Sequence, residues 1–138
     1  MSATNEPREE LSRRIDAIES GYEFLLAYAA QGRATDKGPG AASRVREHLD
    51  AMQQAIDGLG NVVRSVAASD AHDAGTIGAP FFEALDQDAA AARSAIRLVL
   101  SRPDISSQLV DNLNASIHLR ALLTDLFVID EALKERTA

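Results

Sequence analysis

Three histidines and a row of regularly spaced acids are the residues of this 138-residue chain best suited to chemistry. Asp111, His118 and Asp125 are spaced by sevens. On one continuous helix that spacing lines them along one side, with Asn114 nearby. An acid–imidazole–acid row can orient the imidazole or hold a divalent cation. Residues seven apart lie about 10 Å apart along a helix axis, so one ion would need ligands from a second helix. Two residues elsewhere could approach such a layer. Tyr22 comes level with about residue 118 if the first and last helices are antiparallel neighbours, and a buried phenol seeks a polar partner. His48 lies on the flank of an apolar helical face beside Met52 and Leu59, where an imidazole can act as a ligand or a pH-sensitive contact. Tyr22, His48, Asp111, His118 and Asp125 therefore form the candidate metal or small-ligand layer.

The same residues have a plainer reading: the wet side of one helix, a partly buried histidine and a tyrosine that fixes helix register. His72, in Asp70-Ala71-His72-Asp73, reads as a solvated turn whose aspartates bond local backbone.

Familiar catalytic patterns are missing from the sequence. No glutamate is followed three residues later by histidine, as the ferritin-like di-iron bundles require. The His-Glu-x-x-His zinc pattern and the nucleophile elbow do not occur either. Lys37-Gly38-Pro39-Gly40 lacks the spacing of a phosphate-binding loop and has no strand before it, so it reads as a plain connection. Glu19 and Glu23, one turn apart, read as a solvated acidic face. With no cysteine in the chain, disulfides, thiolate catalysis and iron–sulfur ligation are excluded. The formal net charge of −7 argues against nucleic acid and against an anionic membrane surface. The longest apolar run, from Leu119 to Leu133, is interrupted by Arg120, Asp125, Asp130 and Glu131, so no membrane span is expected. The composition fits the cytoplasm. No catalytic residue and no cofactor are expected.

The elements that must position these residues are helical. Apolar residues recur at three- and four-residue steps in four segments: Leu11, Ile15, Ile18, Tyr22, Leu25, Ala29; Val45, Leu49, Met52, Ile56, Leu59, Val63, Val66; Phe82, Leu85, Ala89, Ala92, Ile96, Val99; and Val110, Leu113, Ile117, Ala121. Each stripe forms one seam along a helix. Residues 1–138 then make one domain, an all-α four-helix up-down-up-down antiparallel bundle, with residues 1–6 as a frayed arm. Helix 1 runs from Pro7 to about Gly32. Helix 2 runs from Ala42 to Ala68, bent near Gly58 and Gly60. Helix 3 opens at Pro80 and stops at Ser101-Arg102-Pro103, because proline disfavours helix in the residue before it. Helix 4 runs from Pro103 to about Glu135.

The second half of helix 4 is apolar in nearly every direction, through Leu119, Leu122, Leu123, Leu126, Phe127, Val128, Ile129 and Leu133. Phe24 and Tyr28 add a similar surplus on helix 1. Such surplus marks an interface. The expected function is protein–protein binding, as an adaptor, accessory or regulatory factor. The expected contact is a homodimer, or another protein partner, meeting Phe24, Tyr28, Leu119, Leu126 and Leu133. A central position of helix 4 within its own bundle would account for the same residues.

Ile56 is the middle of the longest seam, so Ile56→Asp should unfold the protein or abolish soluble expression, because an unpaired buried charge is among the costliest changes. Gln54→Asp, on the outward side, should leave the melting temperature within a few degrees. Similar melting temperatures for the two variants would contradict the assigned core face.

Overall fold

The computed structural model describes residues 6–38 and 44–134. The described residues form seven α-helices: α1 (Glu6–Ala29), α2 (Val45–Ile56), α3 (Leu59–Ala68), α4 (Ala74–Ile77), α5 (Ala79–Leu100), α6 (Ser107–Ala115) and α7 (Ile117–Ala132). The described residues contain no strand. The expected ends of the second and fourth helices, Ala42 and Glu135, lie outside the described residues.

Two expected helices are each broken in two. The second is interrupted where Asp57 turns extended and Gly58 takes a left-handed φ of 74°. Glycine adopts that conformation without the penalty of a Cβ. The broken end does not leave its carbonyls bare. Arg14 on α1 donates to the carbonyls of Ala55 and Asp57, satisfying the C-terminus of α2. The seam still carries across the break, with Met52, Ile56, Leu59 and Val63 all buried.

The fourth helix does not begin at Pro103. Residues 103–106 are not helical, and α6 starts after Ser106, whose hydroxyl accepts from the Leu109 amide. A second break falls at Ser116, which turns extended and whose hydroxyl accepts from the amide of His118. Serine suits this position because its short side chain reaches the free amides of a helix start. The break also shifts the helical phase. Ile117, expected in the seam, is 73% exposed, while Leu119 is fully buried.

Helix α1 packs against α2, α3 and α6, while α5 packs against α2, α3 and α7. Leu11, Ile15, Ile18 and Leu25 of α1 enter the core as expected. Its remaining seam positions are Gly21 and Tyr28 rather than Tyr22 and Ala29, which are only partly buried. Gly21 matters because a Cβ there would lie 2.3 Å from Cγ of Met52, so the methionine of α2 fills the space a side chain would take. Burying each leucine or isoleucine of this core stabilises by roughly 1.5–3 kcal/mol.

The C-terminus of α1, the N-terminus of α2 and the α5–α6 connection are joined by a polar clamp. Asp36 is 5% exposed and accepts from the Ile105 amide at 2.9 Å and from Nε of Arg46 at 2.7 Å. The same guanidinium donates to the carbonyls of Leu100, Arg102 and Pro103. The Tyr28 hydroxyl donates to the carbonyl of Ile105 at 2.6 Å. Ser107 exchanges backbone and hydroxyl bonds with Arg33, and its hydroxyl donates to the Tyr28 carbonyl. Burial opposes ionisation of Asp36. Even so, Arg46 and the Ile105 amide outweigh it and hold the carboxyl below the usual range. A carboxyl held low in the fold adds stability above its unfolded pKa and loses it as pH falls through the folded value. The clamp should therefore weaken in acid.

Removing the carboxylate strands a buried amide and leaves Arg46 without its counter-charge. Asp36→Ala should lower stability by about 2–4 kcal/mol in urea unfolding at pH 7. Thr35→Val, which removes an exposed bond to Asp104, should change it by less than about 1 kcal/mol. Equal losses would contradict the assigned weight of the clamp.

Candidate functional site

The five residues proposed as a ligand layer are dispersed. Asp111 is exposed on α6, and His118 is exposed in the first turn of α7. The break at Ser116 divides the row that a continuous helix would have aligned. His48 is partly buried and lies flat against Phe24, with ring centroids 4.0 Å apart and planes at 15°. Burial, reinforced by Arg44, lowers its pKa. Tyr22 is partly buried against the core. Among the described residues no three His, Cys, Asp or Glu side chains gather closely enough to hold a metal ion.

The residues proposed for an interface are mostly covered by the chain itself. Tyr28 and Leu119 are fully buried, and Leu126 and Leu133 nearly so. Tyr28 is held by the polar clamp, while Leu119 and Leu126 enter the core once Ser116 has reset the phase of α7. These four supply no exposed apolar face, and Phe24 is partly buried under the imidazole of His48. The large apolar residues of α7 divide into an inward set and three outward residues, Ile117, Phe127 and Val128, which are 73%, 51% and 52% exposed.

Of the concave features on the described surface, two bear on binding. One, of about 310 Å³, lies at the α2–α3 break and contains Arg64 and Arg93. Each guanidinium has a carboxylate beside it, although Nε of Arg93 is buried without a hydrogen-bond partner. Arg64 meets Asp86 through two bonds, at 2.7 and 3.1 Å, and Arg93 lies 3.8 Å from Asp57. The Asp86 carboxylate also sits directly over Gly60, where a Cβ would be 1.9 Å from its oxygen, in the first turn of α3. The position favoured for an anion is thus occupied by the protein's own carboxylate.

The other is an apolar groove of about 190 Å³ where α4, the start of α5 and the end of α7 meet. Phe82, Ile129 and Leu133 are its buried members, whereas Ile77 and Val128 are 73% and 52% exposed. Gly78 makes room for the ring beneath it, since a Cβ there would lie 2.7 Å from Cζ of Phe82. A preformed apolar cavity of about 150 Å³ holds a benzene molecule, so this groove is large enough for one apolar anchor side chain.

One turn before Val128 and Ile129 on α7 stands Asp125, which meets Asp88 of α5. Burial, then a hydrogen bond with Asp88 and its charge, raises the carboxyl of Asp125 to about 7. Oδ2 of Asp125 is buried without a hydrogen-bond partner. Among the described residues neither acid makes an ion pair with Arg, Lys or His. Asp88 was not anticipated, although its position three after Leu85 and four before Ala92 places it on the edge of the α5 seam. Ile77, in the expected second connection, lies outside any helical stripe and gave no comparable signal.

Comparison with known proteins gives no match: no family model, curated protein or solved structure matches the chain.

A carboxyl raised by folding keeps more protons in the folded than in the unfolded state. Stability therefore falls as pH rises from about 4 to about 7. Asp125→Asn should raise stability by on the order of 1–2 kcal/mol at pH 8 and change it little near pH 4. Denaturant melts at the two pH values check this, and a gain confined to acid would contradict it.

Proposed function

We propose that this chain works by binding another protein, as an adaptor, accessory or regulatory factor, with no catalytic step of its own. The observation that carries the reading is the open apolar groove edged by Ile77 and Val128. Large apolar side chains left exposed beside a preformed groove are a common basis for protein contact. The helices are read as an up-down-up-down four-helix bundle whose second rod breaks at Gly58 and whose fourth breaks at Ser116. Support comes from the seam that continues through Leu59 and Val63 and from the mutual packing of α1, α2, α5 and the later helices. The partner is heterologous in this reading, because Tyr28, Leu119, Leu126 and Leu133 are already covered within one chain. The proposed compartment is the cytoplasm, in keeping with an acidic, cysteine-free sequence.

Affinity purification from the native host should recover a protein in near-stoichiometric amount with the wild-type chain. Val128→Asp, a change at a half-exposed position, should lose it by about tenfold or more while helicity is retained. Equal recovery with both chains would contradict the groove as the contact site.

A further inference from the structure

We infer that the groove receives an amphipathic helix of a partner protein whose apolar anchor is followed, one turn along, by a lysine or arginine that pairs with Asp88 and Asp125. The inference rests on the protein-binding reading above and specifies the partner's chemistry. Two features of the molecule meet in it. The groove accepts one large apolar side chain between Ile77 and Val128. Residues three or four apart on a helix are surface neighbours, so Asp125 stands one turn along α7 from Val128 and Ile129. Asp88 is likewise two turns along α5 from Phe81, on the same face. An anchor in the groove and a cation over the two acids therefore match the spacing of one helix face.

Charge decides between possible occupants. Asp88 and Asp125 face each other, both are only partly buried, and among the described residues no cation pairs with either. At the groove end of α7, Arg8 donates to the Leu133 carbonyl and Lys134 pairs with Glu131 rather than with these acids. Asp73 before α4 and Glu83 in α5 are exposed and add to the negative sign. A second copy of this chain would bring a further charge of −7 to an acidic rim, so like-charge repulsion disfavours it. A basic helix gains at both positions, by burying its anchor and by supplying the missing counter-charge.

The test uses the full chain and three fluorescent Ala-rich helical peptides. All carry two leucines one turn apart, followed one turn later by lysine, glutamine or glutamate. Fluorescence anisotropy should show the affinity order lysine, glutamine, glutamate. Asp88→Asn should weaken the lysine peptide roughly three- to tenfold and leave the glutamine peptide unchanged. Val128→Asp should weaken the lysine and glutamine peptides by about tenfold or more. Circular dichroism of both variants verifies the fold. Equal binding of all three peptides, still lost in Val128→Asp, would overturn the charge reading while leaving the groove as a protein-binding site. Binding that ignores Val128→Asp would overturn both readings. A dimer in sedimentation that dissociates in Val128→Asp would place a second copy in the groove and likewise overturn the inference.

Discussion

The buried carboxylate of Asp36 is the interaction on which the arrangement of this chain most depends. It is the only acid of the described residues that is almost wholly removed from solvent, and an isolated charge in that position would be strongly unfavourable. It is tolerated because its oxygens meet the Ile105 amide and the Arg46 guanidinium. In meeting them it fixes the connection after α1, the start of α2 and the segment between α5 and α6 in one place. Arg46 extends the restraint by taking up carbonyls at the end of α5 and beyond, where the helix leaves them unpaired. Tyr28 adds the Ile105 carbonyl, so a non-helical residue is held by both its backbone polar groups.

The helices are consequently held very differently at their two ends. Where α1 and α5 finish, polar groups are buried and paired. Where α5 begins and α7 finishes, contact is apolar and open. The connection there includes only the four-residue α4, which has no buried residue and whose first amide is met by the turn carboxylate of Asp70. Few buried contacts mean low local stability, and binding surfaces are drawn from such regions. A polar, closed end and an apolar, open end on the same helices are consistent with the proposal that the groove is a binding site. The Asp88–Asp125 pair is consistent with this: it is an unfavourable contact within the chain that an incoming cation would relieve.

The core faces were legible in the sequence because the apolar stripes of helices 2 and 3 have a period that only a helix presents on one side. Ile56, Leu59 and Val63 keep their phase across the break at Gly58, so the seam is continuous although the helix is not. Ser116 was different. An extended residue there rotates everything after it, which sends Ile117 outward, brings Leu119 inward and separates Asp111 from His118. That rotation undid both the proposed ligand row and much of the proposed interface. A serine before an apolar run is a helix-start signal, and it carried more information than the continuous apolar pattern suggested. Asp36 could not be singled out, because an aspartate in a polar loop before a glycine resembles any turn residue until the Ile105 amide and Arg46 are placed beside it. The groove was equally hidden, since Ile77 belongs to no periodic pattern.

Native-state amide hydrogen exchange tests the central claim, that one end of the molecule is locked and the other is open. Ile105 and Ser107 lie outside helix or at a helix start, where amides ordinarily exchange quickly, yet both are bonded within the clamp. Their protection should approach that of core positions such as Leu49 and Leu122, and the amides of residues 74–78 should exchange several orders of magnitude faster. Rapid exchange at Ile105 and Ser107, at a rate comparable to residues 74–78, would contradict the account.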